Sequence, residues 1–176
     1  MSLLIVVVIA VSLSMDAFSL SLAYGTLNLK KKEIITLSLI VGIYHFFMPL
    51  LGMTTGELIF NIISIKPSTI VFIVLSVIGI QMIIESFNND RKVKIMSLLE
   101  LILFGLAVSL DSFSVGIGLK TIYKYPLVSS LIFSLSSFIF TYLGLILGKK
   151  INEIIGKIST LIGGIILIII GLFYLL

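Results

Sequence analysis

Two aspartates, each inside a repeated phrase, are the residues of this sequence best placed to do chemistry. The letters SMDAFS at residues 14–19 recur as SLDSFS at residues 109–114, so Asp16 and Asp111 occupy matching positions in two long apolar runs. A carboxylate at membrane depth costs about 2.5 to 3.5 kcal/mol on insertion scales and by default marks a functional site. Two such carboxylates in matched settings predict one shared site.

Side chains that carry hydroxyl groups accompany both aspartates. Ser19 and Ser114 close the two phrases, and Ser137 and Thr141 lie on one helical stripe of the fifth apolar run. Carboxylate and hydroxyl oxygens are hard ligands, which suit Mn²⁺, Mg²⁺ or Ca²⁺ better than soft Cu(I). The sequence has no cysteine, so it offers neither thiolate ligands nor thiol redox chemistry. These residues predict a site for a hard divalent cation.

The single histidine, His45, lies at the centre of the second apolar run. In that position it would supply a nitrogen ligand or accept a proton. A buried histidine whose ring bonds a backbone carbonyl is an equally good interpretation. The sequence leaves these two interpretations open.

The elements that must position these side chains are membrane-spanning helices. The chain has 176 residues, of which 59% are hydrophobic and only 11% charged. Apolar runs at about residues 3–27, 34–57, 67–87, 98–119, 126–148 and 158–176 each reach the roughly 20 residues that a helix needs to cross the hydrocarbon. We therefore predict an all-α integral membrane protein with six transmembrane helices and no soluble domain.

The six predicted helices form two repeats of three. An offset of 95 residues maps helix one onto helix four, and an offset of 92 maps helix two onto helix five, pairing Gly42 with Ser134. We place the repeats at residues 1–90 and 95–176. Because three is odd, the second repeat enters the membrane from the opposite side, as in transporters whose substrate site lies at the midplane between inverted repeats. The stripe of Ser12, Asp16 and Ser19 is then expected to face the interior.

Basic residues between the apolar runs predict the orientation of the helices. Loops one, three and five carry nine of them, and loops two and four carry three. Since cytoplasmic loops carry the excess of Lys and Arg, both termini are expected outside a cell membrane. The net charge of +4 belongs to these loops, so nucleic acid is not an expected partner. The nine residues of loops one, three and five are Lys30, Lys31, Lys32, Arg91, Lys92, Lys94, Lys149, Lys150 and Lys157, and the three residues of loops two and four are Lys66, Lys120 and Lys124.

Energetics constrain how such a site would be used. Moving a divalent cation outward against an inside-negative potential costs about 4.6 kcal/mol per 100 mV, from about 2.3 kcal/mol per charge. The sequence has no Gly-x-x-x-x-Gly-Lys-Ser/Thr phosphate loop, so ATP is not the direct energy source. Export would then need an exchanged ion, most simply protons taken up by Asp16, Asp111 or His45.

Several phrases in this sequence resemble the MntP family of manganese efflux pumps. They are the Met-Asp-Ala-Phe phrase of helix one, MPLLG at residues 48–52, GIQMIIE at residues 79–85, SLD at residues 109–111 and the glycine pair at residues 163–164. The resemblance covers nearly the whole chain and implies a six-span, multi-pass cell-membrane protein that exports Mn²⁺. It places Asp16 and Asp111 at the intramembrane acidic positions and Glu85 at the acidic position of helix three. His45 departs from the family pattern, which more often has an acid or amide there.

The sequence also admits other functions. Two aspartates on separate membrane helices describe an intramembrane aspartyl protease, although the Gly-x-Gly-Asp phrase of that class is absent and Ser109 and Leu110 precede Asp111. A related branch of similar membrane proteins is linked to sporulation, and a non-transporting scaffold is a further alternative. We favour a transporter over an enzyme, with no resident cofactor, a divalent cation as its substrate, and protons and the lipid bilayer as its other partners.

Overall fold

The computed structural model describes residues 3–62, 67–87, 97–119, 125–155 and 157–175, and all elements within them are α-helices. The helices are α1 (Leu3–Gly25), α2 (Lys31–Ile62), α3 (Pro67–Phe87), α4 (Leu98–Leu119), α5 (Pro126–Ile155) and α6 (Lys157–Leu175). The prediction of an all-helical chain is confirmed, with α2 and α5 longer than their apolar runs. The basic residues Lys66, Arg91, Lys92, Lys94, Lys120 and Lys124 lie outside the described residues.

Length and composition fit these helices to a membrane. Among the described residues, four segments are long and apolar enough to cross a bilayer: Leu3–Gly25, Lys31–Thr54, Leu98–Gly116 and Pro126–Ile154. A shorter apolar stretch, Ile158–Phe173, lies in α6. Large aliphatic side chains such as Leu4, Ile43 and Leu135 are exposed on the outside of the bundle, where lipid would cover them.

The helices pack in pairs whose directions follow from their contacts. Ser14 of α1 contacts Ser137 of α5, and further along both helices Gly25 meets Leu145, so α1 and α5 are parallel. In the same way α2 and α4 are parallel, because Tyr44 meets Gly105 and Pro49 meets Gly116. By contrast α3 and α6 are antiparallel, since Gly79 meets Ile168 whereas Met82 meets Gly163. These directions are those of a chain that reverses at every crossing.

Glycines allow the paired helices to approach each other closely. A Cβ atom added at Gly144 would lie 2.7 Å from the carbonyl oxygen of Phe18, and one at Gly148 would overlap the carbonyl oxygen of Leu22. On the other pair, a Cβ atom at Gly116 would overlap the carbonyl oxygen of Pro49. Close approach through small residues is how helices associate in lipid, where no hydrophobic effect drives them together.

Polar contacts hold the end of α1 against α5 and α6. After α1 the chain turns through Asn28, whose φ of 55° is left-handed. Lys149 of α5 donates a hydrogen bond of 3.0 Å to the carbonyl oxygen of Leu29. Asn152 of α5 and Thr160 of α6 both donate to the carbonyl oxygen of Thr26. Backbone carbonyl groups in the turn after α1 therefore receive side-chain donors.

Candidate metal site

Asp111 lies on α4 and is half-buried. Its Oδ1 atom accepts a hydrogen bond of 2.7 Å from the backbone N–H of Ser112. Its Oδ2 atom is buried and has no hydrogen-bond partner. Because a buried carboxylate oxygen without a partner is costly, the unpaired Oδ2 points to a ligand or proton that completes it.

Asp16 lies on α1 and is exposed on the surface of the chain itself. Its negative charge nevertheless contributes to the electrostatic environment of Asp111. The helices that carry these two residues are not a principal packing pair, since α1 packs mainly on α5 and α4 mainly on α2. The two carboxyl groups therefore lie on helices that make few direct contacts with each other.

His45 lies on α2 and is completely buried. Its Nδ1 atom is 2.9 Å from the carbonyl oxygen of Val41. A carbonyl can only accept, so in the neutral ring Nδ1 carries the proton and Nε2 has a free lone pair. That Nε2 atom is buried and has no partner. A ring that donates one N–H to a backbone carbonyl and leaves the other nitrogen bare is the arrangement found in metal-ligating histidines.

Ser137 and Thr141 of α5 are both fully buried. The Ser137 hydroxyl lies 3.2 Å from that of Ser14 on α1, and Ser14 also donates to Ser136 at 2.8 Å. Thr141 Oγ1 is buried without a partner. Ser14 and Ser136 were missed as candidate residues, although Ser14 begins the first repeated phrase and its counterpart Ser109 is also fully buried.

Other candidate residues are less enclosed. Ser19 and Ser114 are exposed on the chain, and the Ser19 hydroxyl donates to the carbonyl oxygen of Met15. Glu85 belongs to α3, but its side chain lies outside the described ones. The stripe of Ser12, Asp16 and Ser19 was expected to face inward and is exposed instead. The reason is that α1 turns its smaller residues, among them Ala17 and Ser21, toward the close contact with α5.

The structure brings together some of the predicted residues. The charge of Asp16 acts on the carboxyl group of Asp111, and the Ser137 hydroxyl contacts that of Ser14. The contacts of α2 with α4 run from Tyr44 at Gly105 to Pro49 at Gly116, so His45 and Asp111 lie at a similar level of the bundle. Within the part of the chain that the structure describes, no three His, Asp or Glu side chains form a ready cluster. The arrangement offers carboxylate, imidazole and hydroxyl ligands from separate helices.

Comparisons with known proteins place this chain in a family. The family described as "putative manganese efflux pump" matches residues 28–175. A protein of Bacillus pumilus named "Putative manganese efflux pump MntP" is 41% identical over 97% of this chain and 93% of its own length. One of the same name from the archaeon Methanobrevibacter smithii is 36% identical over 99% of this chain and 97% of its own length. No solved structure matches this chain.

Proposed function

Since this chain belongs to the family of putative manganese efflux pumps, we propose that it is a secondary transporter that moves divalent cations, above all Mn²⁺, out of the cytoplasm. The observation that carries the proposal is the pair Asp16 and Asp111. They interact across two helices that do not pack tightly on each other. Intramembrane carboxylates in such a region are typical of ion pathways.

The transported ion would bind first to the groups that lack partners. Asp111 Oδ2 and His45 Nε2 are both buried and unpaired, and they lie at a similar level of the bundle. Asp16 would complete the site from α1, with hydroxyl oxygen from Ser19, Ser114, Ser137 or Thr141. Two carboxylates and neutral donors suit a hard divalent cation, and one imidazole also admits Zn²⁺ or Co²⁺.

The packing of the helices supports two inverted repeats and transport by alternating access. Exchanging α1 with α4, α2 with α5 and α3 with α6 turns the α1–α5 pair into the α4–α2 pair and leaves the α3–α6 pair unchanged. In addition, Gly42 of α2 meets Ser134 of α5, the residue that the repeat assigns to the same position. Rocking of one repeat against the other would expose the carboxyl groups to each side in turn.

Proton exchange would supply the energy for export. The charge on the cation makes outward movement costly in an energised cell, by about 4.6 kcal/mol per 100 mV at about 2.3 kcal/mol per charge. Asp16, Asp111 and His45 are the groups that would take up protons as the metal leaves. Both termini would lie outside, as the lysines at residues 30–32 and 149–150 suggest.

The test uses cells that lack the chromosomal copy and carry this chain or a variant. Intracellular Mn, Fe, Co, Zn and Mg are measured after growth in added manganese, for the wild type, Asp16→Asn and Asp111→Asn. We expect the wild type to lower cellular manganese selectively and Asp111→Asn to lose that effect. Equal content of every metal in all strains, with the proteins present in the membrane, would contradict the proposal.

Coupling is tested separately with proteoliposomes loaded with Mn²⁺. Release of Mn²⁺ should accelerate when the proton concentration is higher outside the vesicles, because protons would then move inward as the metal moves outward. A rate that does not respond to collapse of this gradient would rule out protons as the exchanged ion and leave metal transport itself untouched.

A further inference from the structure

The loop between α1 and α2 is held against α5 and α6 by side-chain donors. The carbonyl oxygen of Thr26, just after α1, accepts hydrogen bonds from Asn152 near the end of α5 and from Thr160 in the first turn of α6. The Thr160 hydroxyl lies 2.8 Å from this oxygen, and Asn152 Nδ2 also donates to the Thr160 hydroxyl at 3.0 Å. The three groups close a triangle in which Asn152 uses both of its amide protons.

A second contact beside this triangle has a charged donor. The ammonium group of Lys149 donates a hydrogen bond of 3.0 Å to the carbonyl oxygen of Leu29. Thr26, Leu29 and Thr160 are buried, whereas Lys149 and Asn152 are half-buried. Together these contacts tie one loop to two helices. We call the five residues the loop-one latch.

Close packing continues from the latch into the end of α1. A Cβ atom added at Gly163 of α6 would lie 2.8 Å from the carbonyl oxygen of Ala23 and 3.1 Å from Thr26 Oγ1. In the same turn of α1, the ring of Tyr24 stacks on that of Phe104 in α4, with centroids 4.8 Å apart. Although α1 makes few contacts with α4 and α6 in total, its end therefore meets both of them as well as α5.

The latch lies far from the polar contact at the middle of the α1–α5 pair. Ser14 and Ser137, which form that contact, lie near the midpoints of their helices. Lys149 follows Ser137 by twelve residues, or about 18 Å along α5. When packed elements rock about their middle, the displacement is smallest there and largest at the ends. A contact at the end of the pair therefore separates while one at its middle is retained.

The sequence places no matching donors at the other end of the bundle. The offset of 92 residues in the proposed repeat assigns Phe60 to the position of Asn152 and Glu57 to that of Lys149. Neither residue carries an amide or ammonium group. Toward that end, the described residues form a small apolar cluster of Val6, Ala10, Leu13, Met53 and Phe133. The two ends of the bundle are therefore held by different kinds of contact.

We propose that the loop-one latch is the cytoplasmic gate of the transporter, which is closed in this structure and separates each time the aspartate site opens to the cytoplasm. The gate rests on the proposed function, which supplies the direction of transport and the two access states. Hydrogen bonds suit a contact that opens repeatedly, because water replaces each donor and the net cost of the exchange is small. An apolar contact would instead expose its surface to water.

Because the chain has no cysteine, an introduced cross-link tests whether the latch must separate. The distance of 3.1 Å between Thr26 Oγ1 and a Cβ atom at Gly163 suits a disulfide between Thr26→Cys and Gly163→Cys. The full-length double variant is reconstituted in proteoliposomes, and Mn²⁺ flux is measured after oxidation and again after reduction. We expect oxidation to slow the flux at least about tenfold and reduction to restore it. Thr26→Cys alone, treated in the same way, is the control and should not respond.

A second measurement follows the latch without a cross-link and decides the question alone if the double variant does not fold. Thr26 is buried, so the thiol of Thr26→Cys should react slowly with a hydrophilic maleimide. Asn152→Leu with Thr160→Val removes both donors to the Thr26 carbonyl and should speed this labelling at least about tenfold. Thr54→Val is the matched control, because its hydroxyl is bonded only within α2, and it should leave the labelling rate unchanged.

The response to Mn²⁺ distinguishes a gate from a fixed structural contact. Occupation of the aspartate site should change the labelling rate of Thr26→Cys at least about fivefold, and Asp111→Asn should abolish this response. The gate is overturned if oxidised and reduced double variants transport Mn²⁺ equally fast, or if Mn²⁺ does not alter the labelling rate. Either result leaves the proposed function standing when the wild type transports Mn²⁺. Absence of Mn²⁺ flux from the wild type would overturn both proposals.

Discussion

The α1–α5 pair and the α4–α2 pair correspond in the proposed repeat but differ in how their polar groups are satisfied. In the α1–α5 pair, the Ser14 hydroxyl contacts those of Ser136 and Ser137. In the α4–α2 pair, His45 stands where Ser137 stands on α5, and its Nε2 atom is buried and unpaired. Asp111 of the same pair has an unpaired oxygen, whereas Asp16 of the first pair is exposed.

This difference teaches that two halves with similar packing need not contribute equally to a shared site. The α4–α2 pair keeps an unpaired carboxylate oxygen and an unpaired imidazole nitrogen in a buried setting, whereas in the α1–α5 pair the hydroxyl groups of Ser14, Ser136 and Ser137 contact one another across the two helices. We infer that α4 and α2 bind the cation most strongly and that α1 adds a second charge from the side. The variants below are expected to show whether the two helix pairs contribute unequally to cation binding, and by how much.

The largest effect is expected from Asp111→Asn. Loss of a residue that hydrogen-bonds to a metal ligand typically lowers metal affinity or activity about 10- to 100-fold. Asp111→Asn removes a charged ligand itself, so Mn²⁺ transport should fall at least about a hundredfold. Asp16→Asn should lower the transport rate only about tenfold, because Asp16 is less enclosed by protein than Asp111. Initial rates of Mn²⁺ flux in proteoliposomes measure both. If the two variants lost the same fraction of the Mn²⁺ flux, the two helix pairs would contribute equally to the site.

The next largest effect concerns the close backbone contacts. A methyl group at Gly116 or at Gly148 would overlap a carbonyl oxygen of the facing helix, so Gly116→Ala and Gly148→Ala should each destabilise the bundle by about 1 to 3 kcal/mol. Gly42→Ala is the control, since its added Cβ would lie 3.3 Å from its nearest neighbours. Thermal unfolding in detergent measures the relative stabilities of the three variants. A control that is destabilised as much as the two variants would contradict it.

A smaller effect, which is selective for the metal, is expected from His45→Asn. Loss of a neutral ligand should weaken Mn²⁺ binding by less than loss of Asp111, about tenfold. Imidazole favours Zn²⁺ and Co²⁺ over Mn²⁺, so binding of those two ions should fall further. A titration of the purified protein with Mn²⁺, in which the EPR signal of the free aqueous ion is recorded with and without competing Zn²⁺, measures the change. An unaltered Zn²⁺ to Mn²⁺ ratio would mean that Nε2 does not contact the metal.

The smallest effect is expected from Ser137→Ala, the matching substitution in the other half. It removes one contact of Ser14, which retains Ser136 and the carbonyl oxygen of Ala10. Interhelical hydrogen bonds in membranes contribute about 0.6 kcal/mol on average, so stability should fall by about that amount, and Mn²⁺ binding should weaken much less than in His45→Asn. A loss of Mn²⁺ affinity as large as that of His45→Asn would make the two halves equivalent.

Helix positions and the paired aspartates follow from the sequence, because a twenty-residue apolar run has one stable form in lipid and an intramembrane carboxylate stands out against it. The sequence does not determine which face of α1 is turned toward the interior of the bundle. Its serines lie on two stripes, one with Ser12 and Ser19 and one with Ser14 and Ser21, and apolar residues surround both. Only the partner helix decides between them, and Gly144 and Gly148 of α5 admit the second stripe.

The candidate site was likewise predictable only in part. Asp111 and His45 are recognisable by residue type, but their unpaired atoms depend on which neighbours fill the space. Tyr24 looks ordinary in sequence, as a tyrosine near a helix end, and its stacking on Phe104 of α4 depends on a tertiary contact that no local pattern encodes.

Pro49 inside α2 has a mechanical consequence. Proline has no N–H group, so the carbonyl oxygen of His45, four residues earlier, lacks its usual helical donor. The two halves of α2 are thereby joined by one hydrogen bond fewer, and bending stiffness is lowest at the level of His45. Thr141 occupies the matching position of α5 and can donate its N–H, so α5 has no such weak point. When the bundle deforms, α2 is expected to flex and α5 to stay straight.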